Sequence, residues 1–307
     1  MLTPLDFLQD LFNPQLAFLP KALVVATFSA LVCAVVGTHV VLRGMTFMGD
    51  AISHAVFPGL AVAFVLQGSL LWGGLIAGVV TAVLIAVLSQ NERLRSDTVI
   101  GILMVTMFAI GIVVMSRAPG YSGSLSTFLF GSLTGIPDSA LVTTVLGSVL
   151  ILAVLAVFHR DLVMVGLDRG YATAIGMRVM ALDIVLAVVV TFAVVMSVQT
   201  IGNILVIALL VTPAAAARMV CDRMVPMMLT AACFGVLGAF VGIYVSWAVD
   251  LPTGGAVVLV CAVIFVLAWL LGPRHGMLAR QRGVRERGVR EQNGQGNVRA
   301  GAVATDA

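Results

Sequence analysis

The sequence predicts an all-α, polytopic membrane protein with eight or nine transmembrane helices. Three observations carry that reading. First, 61% of the 307 residues are hydrophobic, 10% are charged, and the mean hydropathy is +1.13. A soluble domain carries about a quarter charged residues, and its core has no room for this much apolar surface. Second, the apolar residues fall in runs of about 20, the length that crosses a bilayer as a helix. These runs are apolar all round and lack the two-residue alternation of barrel strands. Third, the cationic residues gather in alternate loops. Soluble enzymes, nucleic-acid binders and secreted disulfide scaffolds are therefore excluded as classes.

Taken in order, residues 1–16 form an N-terminal segment and 17–272 a transmembrane domain. Spans are expected at about 19–42, 47–67, 70–89, 98–116, 139–158, 179–199, 201–217, 225–247 and 254–271. The division is weakest over 179–217, where only Gln199 to Asn203 separates two runs, and one broken helix there would reduce nine spans to eight. With nine spans, Arg43, Arg93, Arg95, Arg160, Arg169, Arg178, Arg218 and Arg223 share one side with the tail. The excess of positive charge makes that side cytoplasmic, with the N-terminus outside a cell membrane and the C-terminus inside. Arg117 is the exception. Residues 273–307 form an arginine-rich tail without apolar periodicity, expected to be disordered and cytoplasmic, a solvated topology anchor with contact to anionic lipid as the alternative. Two polar stretches exceed a tight turn. Ala118–Pro137 lies outside, with Tyr121, Phe128 and Phe130 among Gly and Ser; His159–Arg178 lies inside and contains a short amphipathic helix in LDRGYATAIG. No internal repeat is visible by eye.

Few residues could carry chemistry. The chain's one lysine, Lys21, is followed by Ala22, so no GxxxxGK[ST] phosphate loop exists. The chain has no such ATP site of its own and no catalytic group is assigned. Any ATP-driven work needs a partner subunit. Cys33, Cys221, Cys233 and Cys261 are isolated and read as packing residues.

The most unusual stretch is LRGMTFMGDAISHAVFPGL, Leu42–Leu60, which puts Asp50 and His54 inside an apolar run. Four residues apart, they share one helix face. Ionisable groups in a bilayer are costly and face a cavity or a partner. A carboxylate oxygen beside an imidazole nitrogen is half a coordination sphere for Zn²⁺, Mn²⁺ or Fe²⁺. Pairing of Asp50 with an arginine, or a capping role at a broken helix, is the structural alternative. His39 and Asn203 are further candidates along a path. His39 also reads as a packed polar residue, and Asp183 reads as an ion-pair partner of an arginine. In YVSWAVDLPTGGAVVLV, Asp250, Pro252, Gly254 and Gly255 read as a turn between two spans.

Three strings, VVLRGMTFMGDAISHAVFPGLA, QTIGNILVIALLVTPAAAA and DLPTGGAVVLV, occur in this order. With them the chain resembles the membrane permease subunits of ATP-binding-cassette importers for zinc, manganese or iron(II), over about residues 17–272. The resemblance implies the all-helical fold of type II importers and a path between two permease subunits, a homodimer or a pair with a second, different permease. It implies a cytoplasmic ATP-binding subunit and an extracellular metal-binding protein as partners. It places Asp50 and His54 along the metal path, and the ATPase-docking segment on Tyr171, Ala174, Gly176 and Arg178. The divalent metal is cargo, and no permanently bound cofactor is implied. Selectivity among the metals stays open, because His39, Asn203 and Thr212 are more polar than the family's usual run. Two other readings stand beside it. A permease for an iron chelate or vitamin would need a wider, less ionisable path. A proton-coupled secondary transporter would use Asp50, His54 and Asp183 as a relay.

Overall fold

The computed structural model describes residues 4–11, 13, 16, 18–90, 96–116 and 137–272. Among these, eleven helices appear in chain order: α1 Pro4–Leu11, α2 Phe18–Leu42, α3 Met48–Val65, α4 Leu70–Leu88, α5 Ser96–Met115, α6 Asp138–Leu167, α7 Arg169–Ala174, α8 Val179–Ile201, α9 Asn203–Val220, α10 Met224–Val249 and α11 Thr253–Leu271. Nine of the described helices are long and apolar enough to cross a membrane, and they match the nine expected runs. Arg93, Arg95, Arg117, Tyr121, Phe128, Phe130 and the tail from 273 lie outside the described residues.

The bundle is built around α2. Its most apolar window is 72% buried, against 22% for α6 and for α11, which are peripheral. α3 packs on α4 and α5; α2 packs on α9 and α10; α11 closes against α9 and α10; α8 joins the groups through α4 and α6. Lipid tails are as apolar as leucine, so these contacts rest on close packing of small residues. A Cβ on Gly59 would meet the Gly73 carbonyl, and one on Gly73 the Gly59 carbonyl, which holds α3 and α4 nearly backbone to backbone. A Cβ on Gly37 would strike the Leu210 carbonyl, where α2 crosses α9.

Two boundaries depart from expectation. α6 does not end near 158; it continues to Leu167, because Leu162 and Val165 keep a buried face after the apolar run gives way to His159, Arg160 and Asp161. The short helix expected in the following segment is therefore only α7. Gly254 and Gly255 lie in the first turn of α11, and the turn itself is shorter. Asp250 takes the left-handed conformation at φ 56°, and the Ser246 hydroxyl donates to the Leu251 carbonyl at 2.7 Å. The break between α8 and α9 is the single residue Gly202, at φ 84°. A residue with a Cβ adopts that backbone rarely.

α1 was not legible as an element. Phe7 is buried against the rings of Phe240, Tyr244 and Trp247, at centroid distances of 6.0, 5.5 and 5.4 Å. This aromatic nest ties α1 to the end of α10.

Candidate metal path and docking segment

Asp50 and His54 stand on the first two turns of α3. His54 Nε2 lies 3.4 Å from Asp50 Oδ1, as their spacing on a helix dictates. Their side chains are 29% and 27% exposed, so the pair is half-buried and open on one side. The Ser53 hydroxyl donates to the Asp50 carbonyl at 2.8 Å. The Phe108 ring from α5 packs edge to face with the imidazole, ring centroids 5.1 Å apart, and Phe108 also contacts Phe57. α5 approaches because Gly111 leaves room for Phe57 and the Pro58 backbone. Pro58 lies inside α3 and has no N–H to give to the His54 carbonyl. α3 thus carries a carboxylate beside an imidazole, one turn before a proline.

Among the described residues no group of three His, Cys, Asp or Glu is gathered to hold a metal. Two side chains give no closed site, since structural zinc sites take four protein ligands and catalytic ones three. The arrangement suits transient contact with a passing ion.

The other candidates lie elsewhere. His39, in the last turn of α2, is buried with its ring 6.1 Å from that of His159 on α6, and its Nε2 has no hydrogen-bond partner among the described residues. It does not join Asp50 and His54 in a ligand cluster. Asn203 opens α9 beside Gly202; it is buried, and its Oδ1 also has no hydrogen-bond partner among the described residues.

Tyr171, Ala174, Gly176 and Arg178 are all exposed. Asp168 caps α7, its Oδ1 accepting from the Tyr171 N–H at 2.9 Å. Ala172 is fully buried beneath the helix. Gly176, at φ 81°, turns the chain towards α8. Around the segment Leu167, Tyr171 and Ile175 are 81%, 56% and 51% exposed. These apolar side chains stand exposed beside polar ones at the end of the helix.

One cluster was only partly expected. Asp183, in α8, is nearly buried and pairs with two arginines. The pairing with an arginine was legible; its doubling was not. Burial pushes the Arg43 guanidinium below its ordinary pKa, and Asp183 beside it pulls the value back up.

The chain matches the model of the ABC 3 transport family over residues 15–272. It is 37% identical over 264 residues to the manganese transport system membrane protein MntC of Halalkalibacterium halodurans, covering 86% of this chain and 90% of that one. It is 32% identical over 275 residues to the chelated iron transport system membrane protein YfeC of Yersinia pestis, covering 90% and 92%. Its fold is similar to a chain of PsaBC from Streptococcus pneumoniae in complex with Fab, at a TM-score of 0.81 and 31% identity, covering 91% and 100%. With its apolar helices and its match across most of the sequence, the chain belongs to the ABC 3 transport family, as a multi-pass membrane permease subunit of the metal-importer type that its sequence resembles.

Proposed function

We propose that this permease carries a divalent transition metal into the cell, with manganese the first candidate and zinc and iron(II) behind it. The observation that carries the reading is the half-buried Asp50–His54 pair, aligned on one face of an apolar helix. Hard carboxylate oxygen with imidazole nitrogen suits manganese as well as zinc. Relatives named for manganese favour that ion.

In this mechanism a metal-binding protein docks outside and releases the ion. Asp50, His54 and the same residues of a second permease copy hold it in place of its hydration shell. Holding is weak enough for release. ATP-binding subunits dock on Tyr171, Ala174, Gly176 and Arg178 from the cytoplasm. Their ATP cycle shifts the helices between two packed states. The permease itself contributes no ATP chemistry. The N-terminus lies outside and the tail inside, following the arginine asymmetry.

The test is the manganese, zinc and iron content of cells, measured by elemental mass spectrometry. The cells carry the permease with its ATP-binding subunit and metal-binding protein. Wild type is compared with the double variant Asp50→Ala, His54→Ala at equal membrane expression. A selective loss of one metal supports the reading and identifies the cargo. Unchanged metal content in the double variant rejects it, in favour of a chelate permease or a proton-coupled carrier.

A further inference from the structure

Asp183 joins three parts of the chain through one carboxylate. Its Oδ1 accepts from Arg43 Nη1 at 2.7 Å, and its Oδ2 from Arg169 Nη2 at 2.5 Å. Arg43 follows the last residue of α2; Arg169 is the first residue of α7; Asp183 itself lies near the start of α8. Arg43 has a second tie, Nη2 donating to the Leu162 carbonyl of α6 at 3.0 Å. The Arg43 and Asp183 side chains are 6% and 9% exposed, whereas Arg169 is 51% exposed. The network is thus anchored in the bundle on one side and reaches the surface on the other.

Arg43 also begins the turn that feeds α3. That turn is tightly bonded: the Arg43 N–H donates to His39, Gly44 to Val41 and Met45 to Val40, with Gly44 at φ 68°. The Met48 N–H then donates back to the Met45 carbonyl, and Asp50 follows in the first turn of α3. Backbone hydrogen bonds therefore run without a break from the end of α2 into α3. A small cavity lined by Met45, Met48, Ser89 and Asp183 adjoins the network and leaves room for a shift.

We infer that Asp183 is the positioning residue that couples α7 to the turn before α3, so that movement at the docking segment reaches Asp50 and His54. The physical basis is that a carboxylate with both oxygens bonded to guanidinium groups is a directional, charge-assisted link. α7 is only six residues long and has no other charged tie to the bundle among the described residues. Without Asp183, α7 could move under the ATP-binding subunit while α3 stayed where it was. This inference rests on the function proposed above.

The experiment uses the full importer, permease with its ATP-binding subunit and metal-binding protein, reconstituted in lipid vesicles. Manganese uptake and ATP hydrolysis are measured together for wild type, Asp183→Asn, Asp183→Glu and Arg169→Gln. The expected result is a tenfold or greater fall in manganese moved per ATP for Asp183→Asn and Arg169→Gln, with hydrolysis within twofold of wild type. Asp183→Glu recovers most of the ratio. Arg169 is half exposed, so Arg169→Gln carries the test even if Asp183→Asn fails to assemble. An unchanged ratio in Arg169→Gln, or uptake and hydrolysis falling in proportion, overturns the inference and leaves the network a purely structural one. Absence of ATP-dependent manganese uptake in wild type overturns the proposed function first, and the coupling inference with it.

Discussion

Of the aspartates in the apolar helices of this protein, Asp50 and Asp183 have opposite surroundings. Asp183 is nearly buried and has each carboxylate oxygen bonded to a different arginine. Asp50 is about three times as exposed, at 29% against 9%, and among the described residues its carboxylate meets only His54. A carboxylate offers about four lone-pair sites. At Asp183 the charge is compensated inside the protein, so the group can hold helices but has little left for an ion. At Asp50 most of the accepting capacity is left unused among the described residues. In a bilayer an uncompensated charge is costly, so the two acids stand in unlike energetic settings.

The comparison breaks most readily at Arg43. Replacing it by Met removes one of the two cations from a nearly buried acid. Loss of one partner of a buried ion pair costs about 3–5 kcal/mol. Arg169 remains on Asp183, so the expected cost of Arg43→Met is at the low end, about 3 kcal/mol. Thermal unfolding of the purified permease in detergent should show a clear drop in midpoint. If the midpoint stayed at the wild-type value, Asp183 would not be compensated chiefly by Arg43, and the contrast with Asp50 would lose its energetic basis.

Asp50→Asn sharpens the same contrast from the other side. The amide keeps the shape and half the acceptor capacity but loses the charge. Stability should change by no more than about 0.5 kcal/mol, since a half-exposed pair holds little. Manganese affinity should fall roughly 10- to 150-fold, the equivalent of about 1.5–3 kcal/mol for a bond to a charged group. Equilibrium binding of manganese to the purified permease measures one quantity and the unfolding midpoint the other. A variant that unfolds early but binds manganese normally would reverse the roles of the two acids.

The sequence made one half of this contrast readable and hid the other. Asp50 and His54 are four residues apart, so helical geometry alone puts them together. The nine spans were legible for a similar reason: in lipid the apolar run and the helix are nearly the same object. Where the chain leaves the apolar run, that equivalence fails. α6 runs on to Leu167 because Leu162 and Val165 pack inward, a tertiary cause that run length cannot express. Asp183 could be expected to find an arginine, yet Arg43 is 140 residues away and no local pattern selects it over other arginines. α1 was missed for the same reason, since Phe7 finds its aromatic neighbours more than 200 residues along the chain.

Lys21 and Asp138 supply the limiting case for this comparison. They pair at 2.5 Å between the starts of α2 and α6, with side chains 38% and 83% exposed. The distance is as short as that between Arg169 and Asp183. If distance governed strength, Lys21→Ala would be as damaging as a change in the Asp183 network. Solvent decides otherwise: an exposed pair is screened, and ordering two side chains costs entropy, so it contributes about 0.2–1 kcal/mol. Lys21→Ala should therefore lower the unfolding midpoint by a fraction of the Arg43→Met shift, and raising the salt concentration should shrink the difference further. A shift for Lys21→Ala equal to that for Arg43→Met would mean that burial is not what separates the ion pairs of this protein, and the distinction between Asp50 and Asp183 would have to rest on geometry alone.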